Sequence, residues 1–370
     1  MASGTFSVGL QERIGSVDAL RGLTVLTWLL SSILPPILYQ LPKSWGAQAL
    51  ATQLSPSFWH GITVSDFVLP MFLFVAGVTI VPAFEKREAA GQPKRAVAWL
   101  VVRRVVLLLV IGILCEGGIW RHWPDLRLVG VFQRIAICYA VAAWLELMTN
   151  WRFQIGALGF FLIDYWAILA FGGSGEGSPY SLQGNAAAAV DQMLLPGRKF
   201  FGTWDPQGIL TTIPAVAVTT AGLLAGKGLL GTLLADPSRN LWLFCVGAAV
   251  IVVGVFGAVL VPVEPHLWTI TFCAIVIGVG LALLSFFHAM MDIYRWNAGA
   301  SVLTVLGRNS LVVVLTTIAL LSAVELAARF EGPGPHSIFN VATPACALII
   351  LYVVSLVAVL LNRRRIYVTV

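Results

Sequence analysis

Residues 267–290 read LWTITFCAIVIGVGLALLSFFHAM, 24 residues without an aspartate, glutamate, lysine or arginine. As a helix rising about 1.5 Å per residue, this stretch reaches about 36 Å. That is enough to cross the roughly 30 Å hydrocarbon core of a bilayer. Working outward, nine more runs have the same character: about 20–41, 63–84, 97–118, 129–149, 153–171, 209–231, 240–262, 302–327 and 341–361. Asp164 interrupts the run at 153–171, which makes it the weakest. The reading is an all-α, polytopic transmembrane helical bundle with about ten spanning helices. Pro35, Pro36, Pro70 and Pro214 then mark kinks or mouths, because neighbouring helices can satisfy the carbonyls that proline frees.

Composition agrees. Of 370 residues, 58% are hydrophobic and 11% charged, with a mean hydropathy of +0.88. Soluble domains carry about 25% charged residues, so lipid must solvate much of this surface, and membrane lipids are the first expected partner. No polar stretch is long enough to fold separately, and 1–370 reads as a single transmembrane domain. The net charge of +6 is spread over short loops and leaves no basic face, which excludes nucleic acid as a partner. Cys115, Cys138, Cys245, Cys273 and Cys346 lie in apolar runs without a CxxC pair. They read as small core hydrophobes, and no metal site is expected. Also missing are a P-loop, GxGxxG, HExxH and GxSxG.

Lysine and arginine set the expected orientation. With a cytoplasmic N-terminus, the inner segments hold twelve: Arg13, Lys86, Arg87, Lys94, Arg95, Arg152, Lys227, Arg239, Arg295 and Arg363 to Arg365. The outer loops hold six: Lys43, Arg121, Arg127, Arg198, Lys199 and Arg329. Both termini are expected inside. Residues 1–19 form a cytoplasmic segment, 362–370 a cytoplasmic tail, and 42–62 and 172–208 long outer loops. The polar residues 1–19 and the length of the run after them argue against a cleavable signal peptide. Chemistry other than lipid contact should lie at the outer mouth.

Five groups stand out, because ionisable residues in or beside spans are costly and often functional. Asp18 and Arg21, three apart, share a helix face and form an intrahelical pair, or leave Arg21 for a phosphate. In WHGITVSDFVLPMFLFVAG (59–77), His60 is a candidate proton acceptor, and Asp66 can orient it or hold a sugar hydroxyl. The plainer alternative is an interfacial histidine and a capping aspartate. In GVFQRIAICY (130–139), Gln133 and Arg134 open a span; Arg134 either snorkels or holds a carboxylate or phosphate. In WDPQGIL (204–210), Asp205 and Pro206 read as a helix N-cap followed by a first-turn proline, at the same mouth. In LGRNSL (306–311), Arg308 fits the inner side and Asn309 can bond across helices or line a pocket. Glu264 and His266 sit in a short outer turn as rim residues or plain loop polarity. His60, Asp66, Arg134 and Asp205 should surround one cavity.

Taken together, these segments resemble the heparan-α-glucosaminide N-acetyltransferase-like family of bacteria and lysosomes. RIGSVDALRGLTV resembles the family's RxxSLDxxRGLTV, and WHGITVSDFVLPMFLFVAG its WxGxTxxDLVFPxFLFxxG. GVFQRIAICY is similar to GVLQRIAxxY, and DPQGILTTIPAVAVTTAGLLAG to DPEGLLSTLPAxxxxLLGxxAG. LWTITF and LGRNSL are similar to LWTSSF and FGxNAL. The matches run in order across nearly the whole chain. The resemblance implies a multi-pass protein, expected in a bacterial inner membrane, that transfers acetyl from acetyl-CoA to an amino sugar.

Two departures matter. The family's catalytic histidine lies three residues before the tryptophan of WxG, and that position is Pro56. The family's asparagine near the end of the first span corresponds to Ser31 and Ser32. The resemblance therefore implies an acyltransferase with an eroded active site. His60, Asp66 and Asp205 are its catalytic candidates, and Arg134, Gln133, Asn309, Ser31 and Ser32 its substrate-binding candidates. His60 lies four positions from Pro56, about one helical turn, and can stand in for the lost base if that stretch is helical. The alternatives are a catalytically silent accessory subunit, packed with other membrane subunits or as a homo-oligomer, and a sugar transporter or binding protein. The paired broken helices of many transporters find no counterpart in the sequence.

Overall fold

The structure, a computed structural model, describes residues 14–41, 45–116, 126–173, 177–230, 237–295, 300–331 and 344–367. Arg13, Lys43 and Arg121 of the charge pattern lie outside the described residues. Among the described residues there is helix and no strand. Nine helices among the described residues are long and apolar enough to cross a membrane, and the chain is a multi-pass membrane protein. They are α4 (Val68–Ala89), α5 (Lys94–Cys115), α6 (Val131–Met148), α7 (Trp151–Phe171), α9 (Thr212–Leu230), α10 (Pro237–Gly257), α11 (Ile270–Phe287), α13 (Ser310–Glu331) and α14 (Pro344–Arg363). A tenth long helix, α1 (Gly15–Ile33), corresponds to the first apolar run but carries Asp18 and Arg21. Short helices α2 (Pro35–Leu38), α3 (Trp45–Leu54), α8 (Ala186–Leu194) and α12 (Ala300–Arg308) complete the set.

The prolines at the helix mouths fall where a missing N–H costs least. Pro35 opens α2, and Pro70 and Pro214 lie in the first turns of α4 and α9. Pro82 lies inside α4.

The core joins α1, α4, α9 and α11 through side chains such as Leu20, Phe74, Val218 and Phe272. Small residues let the backbones approach, the usual device where lipid removes the hydrophobic drive between helices. A methyl added at Gly77 would sit 2.0 Å from the Thr219 carbonyl oxygen, and one at Gly222 would sit 2.0 Å from that of Phe74. The α4–α9 crossing thus depends on glycine from both sides. Gly22 and Gly307 do the same for α1 and α12, against the carbonyls of Leu303 and Asp18. Outside the core, Trp99, Val106, Val253, Phe256, Leu348 and Tyr352 stay exposed on α5, α10 and α14. Lipid solvates such faces. Three cysteines are buried as expected, but Cys245 is on the exposed side of α10.

The apolar run 302–327 is not one helix. It breaks at Asn309 into α12 and α13. Leu303 meets Gly22 and Gly307 meets Asp18, so α12 lies antiparallel to α1. The break is held by Arg308, whose Nε is 3.5 Å from Asp18 and whose Nη1 donates to Asn362. This basic end of the bundle also carries the Lys227–Glu146 and His288–Asp292 pairs, at 2.6 and 2.9 Å. The long loops gather at the opposite end, the mouth.

Candidate functional site

Three loop segments meet at the mouth, and aromatic side chains join them. Trp204 is fully buried and packs edge-on against Trp59, their ring centroids 5.9 Å apart. Trp59 Nε1 donates to the Tyr180 carbonyl at 3.2 Å. The His266 ring stacks on Trp59, and His266 Nε2 donates to the Ser57 carbonyl at 2.8 Å. Residues 57–66, 177–204 and 262–269 are thereby locked together.

Asp66 folds the stretch before α4 back on itself. Its carboxylate accepts from the Thr63 N–H at 2.8 Å, the Thr63 hydroxyl at 3.0 Å and the Ser57 N–H at 3.2 Å. It caps no helix, since α4 begins at Val68 with Phe67 at its N-cap position and no side-chain cap. Residues 55–64 are not helical, so the helical route from Pro56 to His60 does not exist. His60 is instead an exposed loop residue, with Nδ1 3.4 Å from Oε2 of a fully buried Glu264.

Asp205 does not cap α9, which begins at Thr212. Its carboxylate is fully buried and gripped by Arg127, Nε to Oδ2 at 2.7 Å and Nη2 to Oδ1 at 2.6 Å. Arg127 also donates to Gln207 and reaches Glu116 at 3.4 Å. Burial works against the Arg127 charge, but the Asp205 and Glu116 carboxylates outweigh it and hold the guanidinium above its usual range. The turn after Asp205 is held by Asp191 of α8, which accepts from the Asp205 and Ile209 N–H groups at 3.1 and 3.0 Å. Burial raises the Asp191 carboxyl, and those two N–H groups partly offset it.

Arg134 is buried in α6 and donates to the Thr211 hydroxyl and the Gly208 carbonyl. Its guanidinium lies 5.1 Å from the Trp268 ring centroid, a cation–π contact. Trp268 sits at φ +53°, a left-handed conformation that is costly for a bulky residue. GVFQR, DPQGIL and LWT thus come together in space. Arg134 Nε and Nη1 and both amide atoms of Gln133 are buried without a hydrogen-bond partner, and both carboxylate oxygens of Glu264 are buried without a side-chain one. Natural proteins leave few such groups, and each calls for an explanation.

The remaining candidates lie elsewhere. Asn309 is buried at the basic end, away from the mouth. The Ser32 hydroxyl donates to the Trp28 carbonyl at 2.8 Å, while the Ser31 hydroxyl has no partner. A cavity of about 840 Å³ lies between α1, α4, α5, α6 and α13. Arg21, Arg87, Arg103, Arg104 and Arg308 line it, and apolar walls continue to Val68, Leu69, Val131 and Phe132. Those last residues adjoin Asp66 and Gln133 in sequence, but none of His60, Asp66, Arg134 and Asp205 lines this cavity. Sequence reasoning missed Asp191 as a holder of the mouth and saw Arg127 only as a loop charge. A lone acid in the apolar stretch AAAAVDQML was the available signal for the first.

The site is that of a polytopic helical membrane protein with a polar, aromatic-walled mouth and an arginine-lined cavity. The chain resembles heparan-alpha-glucosaminide N-acetyltransferase: it is 24% identical to the mouse protein over 345 residues, covering 76% of this chain and 50% of the mouse protein. It is 26% identical to the human protein over 276 residues, covering 60% of this chain and 39% of the human protein. The chain thus spans half or less of the length of these curated relatives. Residues 13–123 match a family described as a domain of unknown function, DUF5009.

Proposed function

We propose that this chain is a membrane acyltransferase that takes acetyl from acetyl-CoA and passes it, slowly, to the amine of an amino sugar. The observation that carries this reading is the cavity. Its volume falls within the roughly 300–1,000 Å³ of small-molecule sites. Five arginines gather along it, and its apolar walls run toward the mouth. Such a cavity suits a donor with phosphates at one end and a slender acyl-bearing arm at the other, because guanidinium groups pair with phosphate oxygens through forked hydrogen bonds. At the mouth, the unpartnered Arg134 and Gln133 groups offer donors to a carbonyl or an anionic oxygen. Two curated relatives named as N-acetyltransferases supply the reaction class.

The test is calorimetric titration of acetyl-CoA into the full chain in lipid nanodiscs, with acetyl transfer to glucosamine followed alongside. Saturable binding is expected, weakened about tenfold or more by Arg103→Ala with Arg104→Ala, since charge-assisted bonds contribute about 1.5–3 kcal/mol each. Absence of saturable binding retires the reading. A second reading, a silent accessory subunit of a larger membrane assembly, is favoured by Pro56, which cannot accept a proton. Binding without any transfer would select it.

A further inference from the structure

We infer that Glu264 and His60 form a proton-accepting pair at the mouth, with His60 as the base and Glu264 as its positioning residue. This deepens the acyltransferase reading and rests on it for the identity of the reaction. His60 belongs to the loop before α4 and Glu264 to the turn between α10 and α11. The fold brings them together, with Nδ1 3.4 Å from Oε2. Glu264 is fully buried with no side-chain hydrogen-bond partner for either oxygen, while the His60 side chain is 71% exposed. A buried carboxylate without a charged or side-chain partner costs folding more than it returns. It does give an imidazole an orienting partner, as a carboxylate does in catalytic triads. The 3.4 Å gap is long for a hydrogen bond, but such bonds often tighten only around substrate.

The surroundings set when the pair works. Burial raises the Glu264 carboxyl to about 8, the His266 backbone N–H partly offsets this, and the Asp66 charge adds to it. His60 and Asp66 are the titratable side chains that act on it, while the His266 ring is turned to Trp59 and the Ser57 carbonyl. While Glu264 keeps its proton, its O–H can donate to His60 Nδ1, which leaves the ring hydrogen on Nε2 and no base on the open side. Once Glu264 ionises, Nδ1–H donates to the carboxylate and Nε2 carries the free lone pair. In transfer, the amine nitrogen forms the new C–N bond to the thioester carbonyl and its proton passes to His60 Nε2. The C–S bond then breaks, and the leaving thiolate takes the proton back from His60. Neither Pro56 nor Asp66, whose carboxylate already accepts three hydrogen bonds, can do this work.

The experiment uses the full chain in nanodiscs and diethyl pyrocarbonate, which carbethoxylates the free imidazole nitrogen, read by peptide mass spectrometry from about pH 5 to about pH 9. We expect His60 reactivity to rise near the Glu264 value of about 8. Glu264→Gln should abolish that rise and lower the alkaline rate several-fold, Glu264→Asp should restore part of it, and His266 should stay unchanged in all three. An identical His60 profile in wild type and Glu264→Gln overturns the pair. Transfer to glucosamine then separates the two claims. Loss of kcat by about tenfold or more in Glu264→Gln, with KM held and the alkaline rise gone, supports the pair in catalysis. Robust transfer with an unaltered pH profile overturns that role. A coupled pair in a protein that transfers nothing retires the acyltransferase reading and leaves the pair standing.

Discussion

Arg127 holds Asp205 with two nitrogens on two oxygens, at 2.7 and 2.6 Å, although the residues are 78 positions apart. Such a bidentate pair fixes orientation as well as distance. Since the Asp205 side chain is fully buried, removing its partner strands a charge. Arg127→Ala should therefore cost about 3–5 kcal/mol. Thermal melting in nanodiscs should show the loss, and Arg127→Ala with Asp205→Asn should recover much of it. A melting temperature unmoved by Arg127→Ala would mean that water already solvates Asp205.

The α1–α12 crossing makes a sharper prediction. A methyl at Gly22 would lie 1.8 Å from the Leu303 carbonyl oxygen, and backbone cannot swing aside as a flexible side chain can. Gly22→Ala should separate the helices and lower stability by several kcal/mol, within or beyond the range of about 1–3 kcal/mol for overpacking. Gly156 and Gly159 on α7 have open space around them. Alanine there should be neutral or stabilising by up to about 1 kcal/mol, as helix propensity dictates. Comparing the melting of these three variants separates contact from propensity.

How much of this was legible in the sequence follows from range. Apart from α13, each of the nine spanning helices lies within about five residues of its apolar run, because the length of an apolar segment is a local property. The clamp on Asp205 was not legible: Asp-Pro before an apolar run carries the local pattern of a helix start, and Arg127 lies far upstream. The split at Asn309 was hidden because α12 is apolar enough to continue the run, and only the contact with Gly22 and Asp18 shows that it turns back along α1. Glu264 looked like loop polarity until the fold buried it opposite His60.

Glu264 also ties stability to pH. Its folded-state value of about 8 lies above the ordinary 4.5. The folded protein therefore holds a proton that the unfolded chain releases. Its stability is fully present below about 4.5 and is lost as pH rises through about 8. At about 1.4 kcal/mol per pKa unit, the loss amounts to a few kcal/mol. Glu264→Gln keeps the shape without the charge, and should melt higher than wild type above pH 8 and equally at pH 4.5. A destabilising, charge-capable group at a mouth is the pattern of a residue retained for function. Equal melting at both pH values would show that Glu264 is solvated and free of this cost.

The last prediction concerns α1. With 19 residues it spans about 28 Å, just short of the hydrocarbon thickness. Asp18 and Arg21 dilute its apolar character, so it is absent from the nine helices that qualify by length and composition. Yet lipid does not surround it. Val17, Leu20, Val25 and Leu29 are buried, and Asp18 pairs with Arg21 and Arg308 at 3.8 and 3.5 Å. A helix wrapped by α4, α11 and α12 has no need of a uniformly apolar surface, and charged groups survive at depth when paired within the bundle. α1 should therefore make a tenth crossing, with its Asp18 end on the side of the basic loops. Reporter tags at the N-terminus and after Val370 should then both face the cytoplasm, and a tag within 177–185 should face the other side. Tags on opposite sides at the two termini would give nine crossings and leave α1 as a helix that enters without passing through.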